Sequence, residues 1–281
     1  MCLGPDEVEC ILRNAVEDHG LSSRSLKCVC KEWTRTWVRF YKQTRVFEAM
    51  EVVELVGMRQ ASAIHATPQG RVAMFFDDHI VVFRDDSFAQ GSRIGMGNER
   101  FAGGTCGDTL LVHYDDVTHV FDPQNLSVDG ILPWTQGRDV VSIVANDGVV
   151  DMVTTTNGIW SLDIDTLTPV HLPMLHSKVI DTARRLDLLF LLHDDGTVVR
   201  VAQGKSETVL TCPLAMGICA YGGHLVVFKR TSIFLYDLRR FVLRQVLGVP
   251  FPLTGKGCVH AGALHLPCLY GSCCGIVVMK T

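Results

Sequence analysis

From residue 61 onward, one pattern of hydrophobic and polar positions recurs: a turn residue, four to six apolar-rich residues, a short polar turn and a second apolar run. The six copies span residues 70–83, 107–122, 147–163, 186–201, 222–237 and 261–279. Polar turns such as Asp194-Asp195-Gly196 and Thr156-Asn157-Gly158 join the two runs, so each copy predicts a β-hairpin. We expect a third strand before each hairpin and a fourth strand after it.

The spacing of the copies predicts how these strands are arranged. Equivalent turn positions are 37, 41, 39, 36 and 39 residues apart, at Gly70, Gly107, Gly148, Asp187, Gly223 and Gly262. Repeats of about 40 residues with four strands each are typical of a β-propeller, in which neighbouring sheets cover each other's faces. The sequence therefore predicts a mostly β protein whose residues 46–281 form a six-bladed β-propeller with four-stranded antiparallel blades. A seven-bladed ring would need residues that the chain does not contain.

The first and last segments of this region predict how the ring closes. The sixth copy runs almost to Thr281 and leaves no residues for an outer strand. Residues 51–56 lie just before the first copy and can fill that place. We expect this N-terminal strand to complete the last blade and so to close the ring.

Residues 1–45 have a different pattern and contain only two of the 25 glycines. Pro5 and the acidic residues after it fit the first turn of a helix, and Ser22 or Ser23 can cap a second helix. Apolar residues recur at helical spacing in two stripes, formed by Val8, Ile11, Leu12 and Ala15 and by Leu26, Val29, Cys30, Trp33 and Trp37. These residues predict a small α-helical domain, whose stripes must be covered by a partner protein or by the second domain.

Over about its first 40 residues the chain resembles an F-box. The residues that carry the resemblance are Leu3-Gly4-Pro5-Asp6-Glu7-Val8, Ile11-Leu12 and Leu26-x-x-Val29-Cys30-Lys31-x-Trp33. Gly4 interrupts the usual Leu-Pro pair, and Ala15 stands where a larger leucine is common. The resemblance implies an F-box-like domain that docks a Skp-type adaptor, and through it a cullin, by Leu3, Pro5, Val8, Ile11, Leu12, Leu26, Val29 and Trp33. The alternative is an ordinary helical hairpin that packs on its own domain.

The repeats resemble WD-repeat and kelch-type propellers in general features. Val120-Phe121-Asp122, Ser161-Leu162-Asp163 and Leu235-Tyr236-Asp237 are similar to the aspartate-terminated end of a WD blade. The Gly-His signature occurs once, at Gly223-His224, and the Trp-Asp dipeptide does not occur. The resemblance therefore implies the propeller architecture and no particular family.

Composition and charge narrow the classes of partner. The 26 Lys+Arg and 30 Asp+Glu residues give a formal net charge of −4, which provides no overall basic field for nucleic acid. No apolar run approaches the ~18 residues of a membrane helix, and acidic residues occupy the place of a basic signal-peptide start. Eleven irregularly spaced cysteines favour reduced thiols over a secreted disulfide framework. We expect an intracellular protein, cytoplasmic or nuclear, without a nucleic-acid or membrane partner.

The residues that can carry chemistry have structural explanations. The histidines are scattered among the repeats and form no His-x-His or His-x-x-x-His pair on one element. Paired aspartates at 77–78, 115–116 and 194–195 occupy the same hairpin position, where aspartate satisfies backbone amides. No nucleophile elbow, phosphate-binding loop or dinucleotide fingerprint is present. We predict no metal site, no cofactor and no enzymatic activity.

Together these features predict a substrate-receptor subunit of a Skp–cullin–F-box type ubiquitin ligase. Its helices would dock the adaptor, and its propeller would bind an unknown target protein. A first alternative is a non-enzymatic propeller scaffold for protein–protein interaction without adaptor docking. A second, weaker alternative is an enzyme acting in the central channel, which would require polar side chains that converge at one mouth.

Overall fold

A computed structural model describes residues 47, 49–67, 69–85, 88–89, 91–96, 102–106, 108–132, 140–146, 149–154, 158–163, 168–172, 177–202 and 205–280. The helical domain predicted for residues 1–45 lies outside the described residues, and so does every predicted adaptor-binding position. In the part of the chain that is described, no helix has the length and apolar character required to cross a membrane.

The described strands form six four-stranded antiparallel sheets, which are the six predicted blades. Blade 1 contains β2 (Ala63–Ala66), β3 (Val72–Phe75), β4 (His79–Phe83) and β5 (Gly91–Gly95). Blade 2 contains β6 (Ala102–Cys106), β7 (Thr109–Tyr114), β8 (Val117–Phe121) and β9 (Val128–Leu132). Blade 3 contains β10 (Val140–Asn146), β11 (Val149–Thr154), β12 (Gly158–Asp163) and β13 (Thr168–Leu172).

The remaining blades follow the same order from the inner to the outer strand. Blade 4 contains β14 (Val179–Arg185), β15 (Leu188–His193), β16 (Thr197–Ala202) and β17 (Lys205–Thr211). Blade 5 contains β18 (Gly217–Tyr221), β19 (His224–Lys229), β20 (Ser232–Asp237) and β21 (Leu243–Gly248). Blade 6 contains β22 (Cys258–His260), β23 (Ala263–Tyr270) and β24 (Cys273–Lys280), and its outer strand is β1 (Ala49–Leu55).

Each blade buries both of its faces against its neighbours because alternate residues of a strand point to opposite sides of the sheet. On β24, Ile276 and Val278 pack towards blade 1, whereas Val277 and Met279 pack towards blade 5. One apolar cluster lies between each pair of neighbouring blades, and the cluster between blades 6 and 1 completes the circle. The repeat therefore builds one continuous core out of six interfaces, as the sequence predicts.

The ring closes through β1, which confirms the prediction made from residues 51–56. Strand β1 pairs antiparallel with β24 over its whole length, from Ala49 opposite Lys280 to Leu55 opposite Cys274. Just before β1, the buried Phe47 donates its backbone N–H to the side-chain oxygen of Gln245 at 3.1 Å and packs on the ring of Tyr221. The segment that precedes β1 is thereby anchored to blade 5 as well as to blade 6.

The paired aspartates lie at the hairpin tips, as predicted from their repeated position. Residues 77–78, 115–116 and 194–195 each connect the two middle strands of a blade. In blade 4, Asp195 accepts the backbone N–H of Thr197 at 2.8 Å, and this hydrogen bond lowers the pKa of Asp195. The carboxylate of Asp195 therefore stabilises its turn, which is the structural role expected of it.

Candidate functional site: the central channel and the loop faces

The inner strands of the six blades surround a central channel that contains a cavity of about 240 Å³. Small side chains form most of its wall, because six inner strands can approach one axis only where the side chains between them are small. Two ionisable groups stand out among them, the carboxylate of Asp181 on β14 and the ammonium of Lys256 beside β22. Neither residue was predicted from the sequence.

The backbone of Lys256 is fixed where blade 6 meets blade 1. Its N–H donates to the carbonyl of Ser62 at 3.0 Å, and its carbonyl accepts the N–H of Ile64 at 2.9 Å, which makes a short parallel bridge. The flanking glycines allow this close approach, since a Cβ on Gly255 would collide with the backbone of Ser62 and one on Gly257 with the strand of Leu266.

From this junction the side chain of Lys256 extends across the channel to blades 3 and 4. Its ammonium donates a hydrogen bond to the carbonyl of Val141 at 2.7 Å and lies 3.5 Å from the carboxylate of Asp181. The other carboxylate oxygen of Asp181 accepts the backbone N–H of Ile218, on blade 5, at 2.9 Å. The backbone and side-chain contacts of Lys256 and Asp181 therefore join blades 3, 4, 5, 6 and 1.

Two β-bulges, one in β10 and one in β14, interrupt the strand pairing next to these contacts. The register between β10 and β11 shifts after Val140, and that between β14 and β15 shifts after Val179. The first bulge leaves Val141 out of the ladder, so its carbonyl is available to Lys256. Next to the bulges, the hydroxyls of Ser142 and Thr182 share a hydrogen bond of 2.9 Å between blades 3 and 4.

Burial dominates the electrostatics of the channel. It raises the pKa of Asp181, and the nearby ammonium of Lys256 and the backbone N–H groups of Ile218 and Thr182 oppose this rise. Burial, followed by the charge of Lys256, lowers the pKa of His65 to about 3, so its imidazole is neutral. Burial, followed by the charge of Asp181, raises the pKa of Cys219 to about 12, so its thiol stays protonated and is a poor nucleophile.

A second buried ion pair extends the polar part of the channel wall. Arg184, at the end of β14, pairs with the fully buried carboxylate of Asp151 on β11, which also accepts the hydroxyl of Ser161. Polar side chains do converge in the channel, as the enzymatic alternative requires, but Asp181 and Asp151 are each bonded to protein donors. We conclude that these ion pairs hold neighbouring blades together.

The other residues considered for chemistry are dispersed over the ring. His113, His193 and His224 lie on strands of blades 2, 4 and 5, as the sequence indicates. Within the described residues, no group of three or more His, Cys, Asp or Glu side chains is placed to hold a metal ion. The cysteines of the described ranges, namely Cys106, Cys212, Cys219, Cys258, Cys268, Cys273 and Cys274, are free thiols.

The propeller has two loop faces. The hairpin face carries the turns between the two middle strands of each blade and the connections from one blade to the next, and Leu214 and Val56 are 84% and 81% exposed there. The corner face carries the turns after the inner strands and the loops before the outer strands, and Leu186 is 65% exposed there. These faces are the surfaces that the fold offers to other molecules.

No family model and no curated protein sequence matches the chain. Among solved structures, it is similar to one described as "Structure of U3-55K", with a TM-score of 0.59 and 8% sequence identity over 79% of this chain and 80% of that chain. It is also similar to "Crystal structure of RRP9 WD40 repeats", with a TM-score of 0.58 and 9% identity over 78% of this chain and 79% of that chain. At these identities the likeness shows the fold alone, a WD40-like β-propeller, and the six blades are read from the sheets of this chain.

Proposed function

We propose that the propeller is a non-enzymatic scaffold that binds other proteins through its loop faces. The observation that carries this proposal is the closed ring itself, in which the channel charges bond to one another and both strand faces of every blade lie against a neighbour. The loops remain as the variable surface on a rigid frame, and functional residues concentrate on such loops. This is the interaction scaffold of the sequence analysis, without a requirement for adaptor docking.

A pull-down with the full chain as bait, read by quantitative mass spectrometry, tests this proposal. Leu214→Asp changes the hairpin face and Leu186→Asp the corner face, whereas Val170→Asp changes an exposed outer-strand position (53% exposed) as a matched control. We expect at least one face variant to lose proteins that the wild type and the Val170 variant both retain. If all three variants keep the same partners, or if the wild type enriches none, the proposal is wrong.

A second proposal concerns residues 1–45, which lie outside the described residues. The F-box resemblance of Leu3 to Trp33 supports docking on a Skp-type adaptor, which would make the chain the substrate receptor of a cullin-based ubiquitin ligase. Such a receptor acts by raising the effective concentration of target lysines near the conjugating enzyme. Two short helices with the apolar stripes predicted from the sequence would also require a cover, which an adaptor would provide.

Co-purification of the full chain with a Skp adaptor tests this second proposal. Ile11→Asp or Leu12→Asp places a carboxylate on the apolar stripe and is expected to abolish adaptor binding while urea unfolding of the propeller stays unchanged. Arg13→Asp is the matched control, because this position lies off the apolar stripe of the predicted helix. If both stripe variants still bind the adaptor, the interface does not include this stripe. If the wild type binds no adaptor, the docking proposal is wrong and only the scaffold proposal remains.

A further inference from the structure

Two arginine pairs from different repeats lie on the corner face of the neighbouring blades 4 and 5. Arg184 and Arg185 end β14, and Arg239 and Arg240 lie in the loop between β20 and β21. His224, at the start of β19, lies near both: burial lowers its pKa, the carboxylate of Asp237 opposes this, and the charges of Arg244 and then Arg185 lower it further. The neighbouring Gly223 accepts the backbone N–H of Leu238, next to Arg239, at 2.9 Å.

The loop that carries Arg239 and Arg240 is held in one conformation by Asp237. One carboxylate oxygen of Asp237 accepts the backbone N–H groups of Arg239 and Arg240, at 2.9 and 3.0 Å. Its carbonyl accepts the N–H of Phe241 at 2.7 Å, and Phe241 has a left-handed backbone conformation with φ +52°. The loop is therefore preorganised, with both arginines exposed to solvent.

Phe241 attaches this loop to blade 4. Its ring lies 6.2 Å from that of Phe190 in an edge-on arrangement, and the guanidinium of Arg200 covers it at 5.7 Å. Leu188, which follows the turn after Arg185, belongs to the same apolar cluster as Phe241. Packing between the blades thus fixes the distance between the two arginine pairs.

Most charges around this surface are already paired. Arg184 is bonded to Asp151, Arg200 to Glu207 at 2.5 Å, and Arg244 to Asp237 at 3.2 Å. Among the described residues, Arg185, Arg239 and Arg240 have no ion-pair partner, and the exposed Leu186 lies directly beside Arg185. We call these four residues the arginine surface.

We propose that the arginine surface binds an acidic segment of a partner protein, in which carboxylates flank an apolar side chain. Arginine recognises carboxylates through paired hydrogen bonds, and the exposed Leu186 supplies an apolar contact beside Arg185. Nucleic acid fits less well for two reasons. The chain has a formal net charge of −4, and the ring of Phe241, in the same loop as Arg239 and Arg240, is covered by Arg200 and is not available for base stacking. This inference deepens and rests on the proposed protein-binding function of the propeller.

The test uses the full chain and a random library of 12-residue peptides displayed on phage. Selection on the wild type is followed by counter-selection on the variant Arg185→Glu/Arg239→Glu/Arg240→Glu. The matched control, Arg59→Glu/Lys178→Glu/Arg230→Glu, makes the same change of charge at three exposed positions of the hairpin face. Circular dichroism shows whether the triple variant folds. If it does not, the milder variant Arg239→Gln/Arg240→Gln is used instead, because it removes two positive charges without adding negative ones.

We expect the enriched peptides to be acidic and to contain a central apolar residue. A labelled synthetic copy is expected to bind the triple variant about tenfold or more weakly than the wild type, and the control within about threefold. No enrichment, enrichment of neutral or basic peptides, or equal binding to the triple variant would overturn the proposal. Tighter binding of a labelled 12-nucleotide single-stranded RNA at the same arginines would overturn it in favour of nucleic acid. If the arginine-surface proposal fails in this way while the pull-down still captures partner proteins, the scaffold proposal stands.

Discussion

The ion pair that crosses the channel predicts a large and specific effect of Lys256→Met. The substitution keeps the length and most of the apolar stem of the side chain but removes the ammonium group. Asp181 then remains with an almost fully buried carboxylate, 4% exposed, and with its backbone donors alone. The perturbation therefore removes one positive charge from the ring, together with its hydrogen bond to the carbonyl of Val141.

The expected magnitude follows from the distance and the burial. Two unit charges 3.5 Å apart attract each other by about 5 kcal/mol at an effective dielectric constant of about 20. Removing one partner of a buried pair typically costs about 3–5 kcal/mol. Because the backbone amide of Ile218 still stabilises the carboxylate, we expect a loss near the lower limit, about 3 kcal/mol in the free energy of unfolding at pH 7. That is a large fraction of the roughly 5–15 kcal/mol of a typical domain.

The loss should depend on pH with a defined sign. Burial raises the pKa of Asp181 in the folded state above its unfolded value, so its contribution to stability is fully present below the unfolded pKa and falls as pH rises through the folded pKa. Without Lys256 the folded pKa rises further. The cost of Lys256→Met is therefore small in acid, where Asp181 is protonated in both proteins, and grows as pH rises towards neutrality.

Urea unfolding at pH 7 and pH 4.5 measures both effects. The matched control is Lys280→Met, which removes an ion pair of similar length, 3.3 Å from Glu51, whose side chains are 55% and 60% exposed. This surface pair should contribute less than about 1 kcal/mol. Asp181→Asn combined with Lys256→Met should recover most of the lost stability, since no buried charge then remains unpaired. Equal losses at the two pH values, or no recovery in the double variant, would refute the reasoning.

Three further substitutions test other features of the ring. Leu55→Asp, at the buried end of β1, should cost about 3 kcal/mol or more in urea unfolding because it breaks the closing sheet, whereas the adjacent, exposed Val56→Asp should stay within about 0.5 kcal/mol. Gly104→Ala places a methyl group against the backbone of Ile143 on the neighbouring inner strand and should cost about 1–3 kcal/mol, whereas Gly130→Ala faces open space and should not; similar losses for both would contradict the close approach of blades 2 and 3. His65→Gln should flatten the loss of stability on acidification, because the folded pKa of His65, about 3, lies below its unfolded value of about 6.5 and the unfolded chain alone takes up the proton between them; parallel pH–stability curves for wild type and variant would contradict this.

Much of the fold was predictable because the repeat places the same local chemistry at the same position. A glycine stands at the turn position in five of the six repeats and paired aspartates stand at the hairpin turn in three, and the repeat spacing of about 40 residues leaves room for two more strands in every blade. The closing role of β1 was predictable from the missing outer strand of the sixth copy. The structure extends that strand to Ala49–Leu55 and adds the contacts of Phe47 with blade 5, which the repeat pattern does not predict because Phe47 precedes the first repeat.

The channel and the arginine surface were not predictable in the same way, because their residues come from different repeats. Lys256 and Asp181 form an ion pair only once the ring closes. The carbonyl of Val141 is available to Lys256 because of a bulge in β10, and neither this bulge nor the one in β14 is predicted by a residue type. The glycines on both sides of Lys256 were the one available signal of a close backbone approach. The pairs Arg184-Arg185 and Arg239-Arg240 looked like isolated short clusters until neighbouring blades brought them together. The adaptor-binding positions stay a prediction.

The pairing of β1 with β24 also determines when the protein can fold during its synthesis. Glu51 and Lys280, which pair across these strands, are separated by 229 residues, so the first strand leaves the ribosome roughly 10–45 s before its neighbour at about 5–20 residues per second. During that interval β1 lacks its hydrogen-bonding partner β24 and its apolar side chains lack their cover, so its strand edge is open to pairing with other chains. Blade 6, which contains β1 and β24, can therefore be completed only after the other five blades have been synthesised, and until then the propeller is an open, incomplete ring.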